Sequence, residues 1–408
     1  MNAATISAFC ERQLPATLDF LRRMVAINSF TENVAGVNTL GELVAAEFAP
    51  LGFEASFPQP PQSRFGRHLF LRRTAANAPT IALISHLDTV FTAEEEKRNN
   101  FVWRIEGRRI HGPGTNDIKG GTALIHLVLA ALRSEAPEVF ERTNWVVALN
   151  SCEETVSEDF GRICRAELPA DTRGCLVFEA DRGADGDFGV VAARKGRATI
   201  SVEVEGRGSH AGGEHPRGAN AIVQLAIVIE RLAALTDYAG GVTINVGTIA
   251  GGTVINRVPH SARAVLEMRA FTAESYEHTK QAILGLAGEG SVRSADGHAC
   301  VVSVRVEEET VPWPSNAHTE RLLALWQETG RALGVRVTRI ERGGLSDGNL
   351  LWDKFPTLDG LGPHGDHAHC SEQSPDGRKQ QEWVDAESFV PKAVLNALAI
   401  ARLAAKGC

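Results

Sequence analysis

Hydrophobic and polar positions change their period several times along this chain. Leu14, Leu18, Leu21 and Val25 recur at helical spacing, and Pro15 sits near the start of that pattern, which predicts a first helix. A second helix is predicted over 38–48. Beyond it, short apolar runs alternate with helical patterns. Strands are predicted at 80–85, 144–149 and 175–178, and a helix over 122–133 follows Gly120-Gly121. This α/β alternation predicts a mainly parallel sheet with helices on both faces. Near Ala192 the pattern changes. Residues 198–205 alternate as a strand, 220–235 read as a helix, 242–249 and 263–270 as strands, 274–286 as a helix and 299–306 as a strand. The order β-α-β-β-α-β is that of a ferredoxin-like α+β unit. From Thr310 the first pattern returns, with a helix at 319–333, strands at 335–340 and 356–358, and a last helix at 386–404. The smaller domain, 194–309, therefore reads as an insertion between two parts of a larger one, 1–193 and 310–408.

Composition narrows the function classes. The 408 residues carry 42 Lys+Arg against 50 Asp+Glu, a formal charge of −8, which argues against a general binder of nucleic acid or anionic membrane. Seven Cys without C-x-x-C pairing do not form a disulfide framework. Residues 1–13 lack the basic and apolar regions of a signal peptide, and no run of about 18 apolar residues predicts a membrane span. The expectation is a cytoplasmic protein.

The chemistry lies at the ends of the predicted strands. The first of them runs into His86-Leu87-Asp88, the second into Glu153-Glu154 and the third into Glu179. Asp117 sits in a Gly-rich turn, 112–121, that opens a helix. In open α/β sheets, ligands bind beyond the carboxyl ends of the strands. Like charges gathered there are costly without a cation, and imidazole with several carboxylates is a ligand set for Zn²⁺ or Mn²⁺. Any one acid after a strand is usually a helix cap or a solvated turn residue; all of them together are hard to read that way. A second imidazole comes from His364, His367 or His369, three His within six residues.

Two rival motifs are present. Gly344-Leu345-Ser346-Asp347-Gly348 satisfies G-x-S-x-G after a predicted strand, and Asp366 and His369 follow it, which is the order of a serine hydrolase. That reading leaves the N-terminal carboxylates without a task. Gly206-Arg207-Gly208-Ser209-His210-Ala211 fits G-x-G-x-x-A, but Gly212, Gly213 and Pro216 separate it from the next helix, so no helix N-terminus faces a phosphate. The isolated Cys, Cys370 beside His369 included, read as small buried or inert residues.

Taken together, 85–90 (SHLDTV), the Gly112–Gly121 turn, Glu153-Glu154, 178–181 (FEAD), 208–212 (GSHAG), 256–259 (NRVP), 343–347 (GGLSD) and the Gly-Pro…His369 segment resemble the di-zinc aminoacylase and glutamate carboxypeptidase family. That family includes acetylornithine deacetylase and succinyl-diaminopimelate desuccinylase. The resemblance covers nearly the whole chain. It implies that His86, Asp117 and Glu179 hold one divalent metal and that Asp117, Glu154 and His369 hold a second, with Asp117 bridging and its following peptide cis. The ions are Zn²⁺ by preference, with Mn²⁺ or Co²⁺ compatible. Asp181 is the alternative to Glu179. Glu153 is implied as general base and Asp88 as the acid that orients His86. The inserted domain corresponds to a lid that also forms a homodimer, with His210 and Asn256 touching substrate, His210 in the partner's site, and Arg269 taking a substrate carboxylate. The implied substrate is a small N-acyl amino acid or a short peptide. Residues 373–381 look inserted relative to the family pattern.

Overall fold

The computed structural model describes residues 2–62, 64–155, 158–181, 183 and 187–406. Two compact units emerge, one of Met1–Ala192, Ser315–Glu341 and Ser346–Cys408, the other of Ala193–Pro314 with Arg342–Leu345.

The larger unit is built on a six-stranded sheet in the order Glu54–Ser56, Leu69–Arg73, Asn144–Asn150, Thr80–His86, Gly174–Val177, Thr357–Leu358. The first two pairings are antiparallel. The remaining three are parallel. Alternation along the central strands sends side chains to two faces. Ile81, Leu83, Val147 and Leu149 join a core with helices Ala3–Val25, Val34–Phe48, Gly120–Glu135 and Phe389–Lys406. Ala82, Ile84 and Ala148 pack on the other face against Phe160 and Cys164 of helix Glu158–Glu167. Both faces are thus covered, and burying each such aliphatic side chain contributes about 1.5–3 kcal/mol.

Parallel pairing aligns the carboxyl ends of Thr80–His86, Asn144–Asn150 and Gly174–Val177 at one edge, with His86 directly opposite Asn150. A smaller antiparallel sheet, Gly365–Asp366, Trp383–Asp385, Arg109–His111 and Arg104–Glu106, completes this unit. Its first two strands bracket residues 367–382, so His369 and the extra residues 373–381 lie between paired strands.

Three expectations are corrected. The first helix runs from Ala3 to Val25 with Pro15 in its interior. Asn2 caps it by accepting the Ala4 N–H at 3.0 Å, and Pro15 stands on an exposed turn, where water can satisfy the carbonyl that loses its amide partner. One helix, Ala386–Ala405, is long and apolar enough to cross a membrane by composition, but its apolar residues, including Leu395, Ile400 and Leu403, are buried in the core. In the smaller unit the sheet has five strands, in the order Thr243–Gly251, Ser261–Ala270, Gly196–Glu205, Ala299–Thr310, Gly288–Arg293, all antiparallel. The unforeseen edge strand, Gly288–Arg293, is two-thirds Gly and charged residues and mostly exposed, so it carries no apolar alternation to read. Thr243–Gly251 is the other edge, whereas Gly196–Glu205 is central.

The helix Gly120–Glu135 starts against the strand end that carries Glu179, and its entry tolerates no side chain. A Cβ on Gly121 would stand 2.1 Å from the Phe178 carbonyl oxygen. Gly121→Ala should therefore destabilise the fold by about 1–3 kcal/mol, as overpacking does, measured by denaturant unfolding.

Candidate metal centre

Asp88 joins two of the strand ends. Its Oδ1 accepts the Glu153 N–H at 3.0 Å, and its Oδ2 accepts the Glu154 N–H at 3.2 Å and the Thr31 hydroxyl at 2.8 Å. The turn after Asn150 is thereby shaped around a carboxylate delivered by the neighbouring strand. The Asp88 carbonyl also lies 3.0 Å from His86 Nδ1. A carbonyl can only accept, so Nδ1 carries a proton, which leaves Nε2 as the nitrogen for a metal or, without one, for a proton shared with Asp117.

Nε2 faces Asp117 Oδ1 at 3.0 Å and Glu179 Oε1 at 3.7 Å. On the opposite side of Asp117, Oδ2 lies 3.4 Å from His369 Nε2, which is 3.0 Å from Glu154 Oε2. Two ligand groups result, His86/Asp117/Glu179 and Asp117/Glu154/His369, sharing Asp117 between them. The Asp117–Ile118 peptide is cis. His369 holds a left-handed backbone, φ 65°, that non-glycine residues adopt rarely.

The acids are crowded and dry. Burial pushes Glu153 well above the usual carboxylate range, and burial together with the Asp117 charge takes Glu154 to about 7. Burial would raise Asp117 too, but hydrogen bonds from His369 and His86 hold it below that range. The same bonds, to Asp117 and Glu154, lift His369 to about 11. Without cations, protons and imidazolium charges must neutralise this cluster. Imidazole nitrogen and carboxylate oxygen, with no thiolate, suit hard to borderline divalent ions. Glu154 Oε1, buried and without a hydrogen-bond partner, has the character of an unused ligand atom. The residues present fit a dinuclear centre.

A third cluster, His68, Cys152 and Asp159, is fully buried. There His68 meets Asp159 at 2.9 Å through Nε2 and accepts the Ser151 N–H at 3.1 Å through Nδ1. Both ring nitrogens have protein partners, so this is a buttress under the turn that carries Glu153.

Several alternatives left open by the sequence are decided here. Asp181 pairs with buried Lys392 at 2.9 Å, and its other oxygen accepts the Gly183 and Gly189 amides, so Glu179 is the acid beside His86. His364 packs edge-on against Trp383, and His367 lies beside Asp366, leaving His369 as the second imidazole. Ser346 corrects the serine-hydrolase reading. Its buried hydroxyl donates to Asp359 at 2.8 Å and accepts the Gly348 N–H at 3.1 Å, capping a short 3₁₀ turn, Asp347–Leu350, where a nucleophile elbow would open an α-helix. Among the described residues five Cys are buried and Cys370 is exposed.

In the smaller unit, His210 Nδ1 accepts the amides of Gly212 and Gly213 at 3.2 and 3.0 Å. Its exposed Nε2 therefore carries the donor proton. Asn256 is exposed, and its carbonyl accepts the Ala211 N–H. Arg269 already has partners: it forks onto Glu267 at 2.6 and 3.1 Å and donates to the Gly343 carbonyl at 2.8 Å.

Two further buried acids, Asp347 and Glu382, feel the charges of this cluster. Asp347 accepts from Asn150 Nδ2 at 2.8 Å, and burial raises it to about 7. Glu382 lies behind Asp117, and burial together with the Asp117 charge raises it to about 8. Asp347 stood inside a motif read for its serine, and Glu382 follows the extra residues that separate it from His369.

Comparison with known proteins finds likeness along most of the chain. Residues 192–293 match the family model of the M20 peptidase dimerisation domain. Carboxypeptidase G2 of Pseudomonas sp. strain RS-16 is 25% identical over 93% of this chain and 86% of its own. Acetylornithine deacetylase of Edwardsiella ictaluri is 24% identical over 94% and 96%. The aminopeptidase PepT structure from Bacillus cereus shares the fold, with TM-score 0.73 and 21% identity over 96% of this chain and 99% of that one. With a dimerisation domain in the insert and likeness along its length, the chain is a relative of the M20 metallopeptidases, a metallo-hydrolase acting on amide bonds.

Proposed function

We propose that the protein hydrolyses the amide bond of a small N-acyl or peptidyl amino acid in carboxypeptidase fashion, releasing an acid and an amino acid. The observation that carries this reading is Asp117, flanked on its two oxygens by His86 and His369, with the half-buried acid Glu153 near His86. His86, Asp117 and Glu179 hold one ion and Asp117, Glu154 and His369 the other, Zn²⁺ by preference and Mn²⁺ or Co²⁺ as compatible substitutes. When bound, the two ions acidify the attacking water and polarise the scissile carbonyl.

The side chains do the rest. Glu153 takes the proton of the water and passes it to the leaving amine, a task suited to a carboxylate whose desolvation raises its pKa and so its basicity. Asp88 keeps His86 in the tautomer that presents Nε2 and fixes the backbone of Glu153. His210, with Nδ1 tied up as an acceptor, offers its Nε2 proton to the carbonyl oxygen as negative charge develops there. Asn256 contacts substrate. Arg269 takes a free carboxylate by exchanging its Glu267 fork for the substrate's. The likeness to carboxypeptidase G2 favours the peptidase reading, and that to acetylornithine deacetylase supports a second, N-acyl amino-acid or N-acyl diamine deacylation.

The protein works as a homodimer formed through the insert. Helix Ala221–Ala233 buries Leu225, Val228 and Leu232 but leaves Ile222 and Val223 exposed, and Ile249 of the edge strand Thr243–Gly251 is exposed as well. An unpaired strand edge flanked by apolar side chains suits a symmetric partner.

Three outcomes are expected. Chelation abolishes turnover of an N-acyl amino acid and dipeptide panel, metal analysis of reconstituted protein finds two ions per chain, and Ser346 takes no fluorophosphonate label; chelator-insensitive turnover with a labelled Ser346 would restore the serine reading. Glu153→Ala keeps both ions and loses about 10² to 10⁴ in rate, whereas Glu154→Ala loses metal; the reverse pattern, read by metal analysis and kinetics, exchanges their roles. Mixing His210→Ala with Glu153→Ala chains restores activity, because one site of the mixed dimer then has both groups. No recovery despite demonstrated subunit exchange would confine His210 to its own subunit.

A further inference from the structure

Glu382 is fully buried, with none of its surface exposed, and touches two segments of the centre at once. Its Oε1 accepts two backbone amides, from Asn116 at 2.8 Å and from Asp117 at 3.2 Å. Its own N–H donates to the Cys370 carbonyl at 2.7 Å, one residue beyond His369. One residue therefore holds the peptide leading into Asp117 with its side chain and the backbone leaving His369 with its main chain. It is itself firmly held. Trp383, the next residue, is paired with His111 on one side and Asp366 on the other. Gln381, the residue before, donates to the carbonyls of Ser371 and Asn99 at 2.9 and 3.0 Å.

Placing a carboxylate here is costly. The two amides offset only part of that cost, because Oε2 is buried without a hydrogen-bond partner. A purely structural plug would be better made of carbon. The return is geometric. A carboxylate oxygen has two lone pairs, and here one oxygen gathers two consecutive amides, which fixes the rotation of the backbone from which the Asp117 side chain departs.

We propose that Glu382 is a positioning residue for the dinuclear centre: by hydrogen bonding it locks the Asn116–Asp117 backbone to the His369 segment and so sets how Asp117 and His369 converge. This rests on reading Asp117, Glu154 and His369 as a metal site. Partners of this kind behind ligands typically govern metal affinity by 10- to 100-fold.

The test is calorimetric titration of Zn²⁺ into the metal-free full-length protein and two variants, with Co²⁺ absorption spectra as a second readout. Glu382→Gln keeps the Oε1 acceptor and loses the charge. Glu382→Asp keeps the charge but shortens the reach by one methylene. Wild type is expected to bind two ions. Glu382→Gln should bind both with nearly wild-type affinity and spectrum. Glu382→Asp should bind one of them about 10- to 100-fold more weakly, with an altered Co²⁺ spectrum and an unchanged metal-free melting temperature. Wild-type affinity and spectrum in Glu382→Asp, or a Glu382→Gln chain more impaired than Glu382→Asp, would overturn the positioning role while leaving the metal site standing. Wild type binding fewer than two ions would overturn the metal reading and the positioning role with it.

Discussion

Negative charge gathered at one edge of a buried sheet is the constraint around which this protein is built. Parallel strands all end on the same side, so whatever closes or follows Thr80–His86, Asn144–Asn150 and Gly174–Val177 must share one space. Here those residues are His86, Asp88, Glu153, Glu154 and Glu179, with Asp117 brought in by a tight turn. Carboxylates so close cannot all stay ionised in a dry site unless cations join them. The two imidazoles on the two oxygens of Asp117 mark where such cations would sit.

The acids divide into two kinds by what their oxygens meet. Glu154, Glu179 and Asp117 face imidazole nitrogens or one another and are disposed as ligands. Asp88 and Glu382 instead accept backbone amides, Glu153 and Glu154 in one case, Asn116 and Asp117 in the other. Each carboxylate of the second kind therefore fixes the main chain under residues of the first kind. His68 acts similarly as a neutral acceptor for the Ser151 amide, and Asp159 holds its tautomer. Such sites keep their geometry because side chains discipline backbone rather than the reverse.

The smaller unit obeys a different logic. Its sheet buries one face under the helices Ala221–Ala233 and Ala273–Leu284, through Leu225, Val228, Leu232, Tyr276 and Ile283. Ile222, Val223 and Ile249 remain outside that core. Its two candidate bearers of chemistry are not alike. His210 accepts two glycine amides at Nδ1, whereas Arg269 is held by Glu267 and would have to exchange partners to take the substrate carboxylate of the proposed reaction.

By itself, the sequence determined most of this architecture and its reactive edge. The apolar runs in 80–85 and 144–149 and the change of period near Ala192 reflect burial on two faces or one, which leaves its mark residue by residue. The position of His86, Asp88, Glu153, Glu154 and Glu179 after apolar runs was legible for the same reason. The polar edge strand Gly288–Arg293 was not, since it buries too little to impose a pattern. Choices among like residues were not legible either. Asp181 and Glu179 are two positions apart, and only the presence of Lys392, more than two hundred positions later in the chain, commits one to an ion pair and frees the other for His86. Ser346 matched a nucleophile motif until Asp359 and the Gly348 amide claimed its hydroxyl. Glu382 carried no local signal, because its partners, the amides of Asn116 and Asp117, lie more than 260 positions away. Local pattern records burial and backbone preference, whereas a carboxylate's task depends on which donors long-range folding brings to its two oxygens.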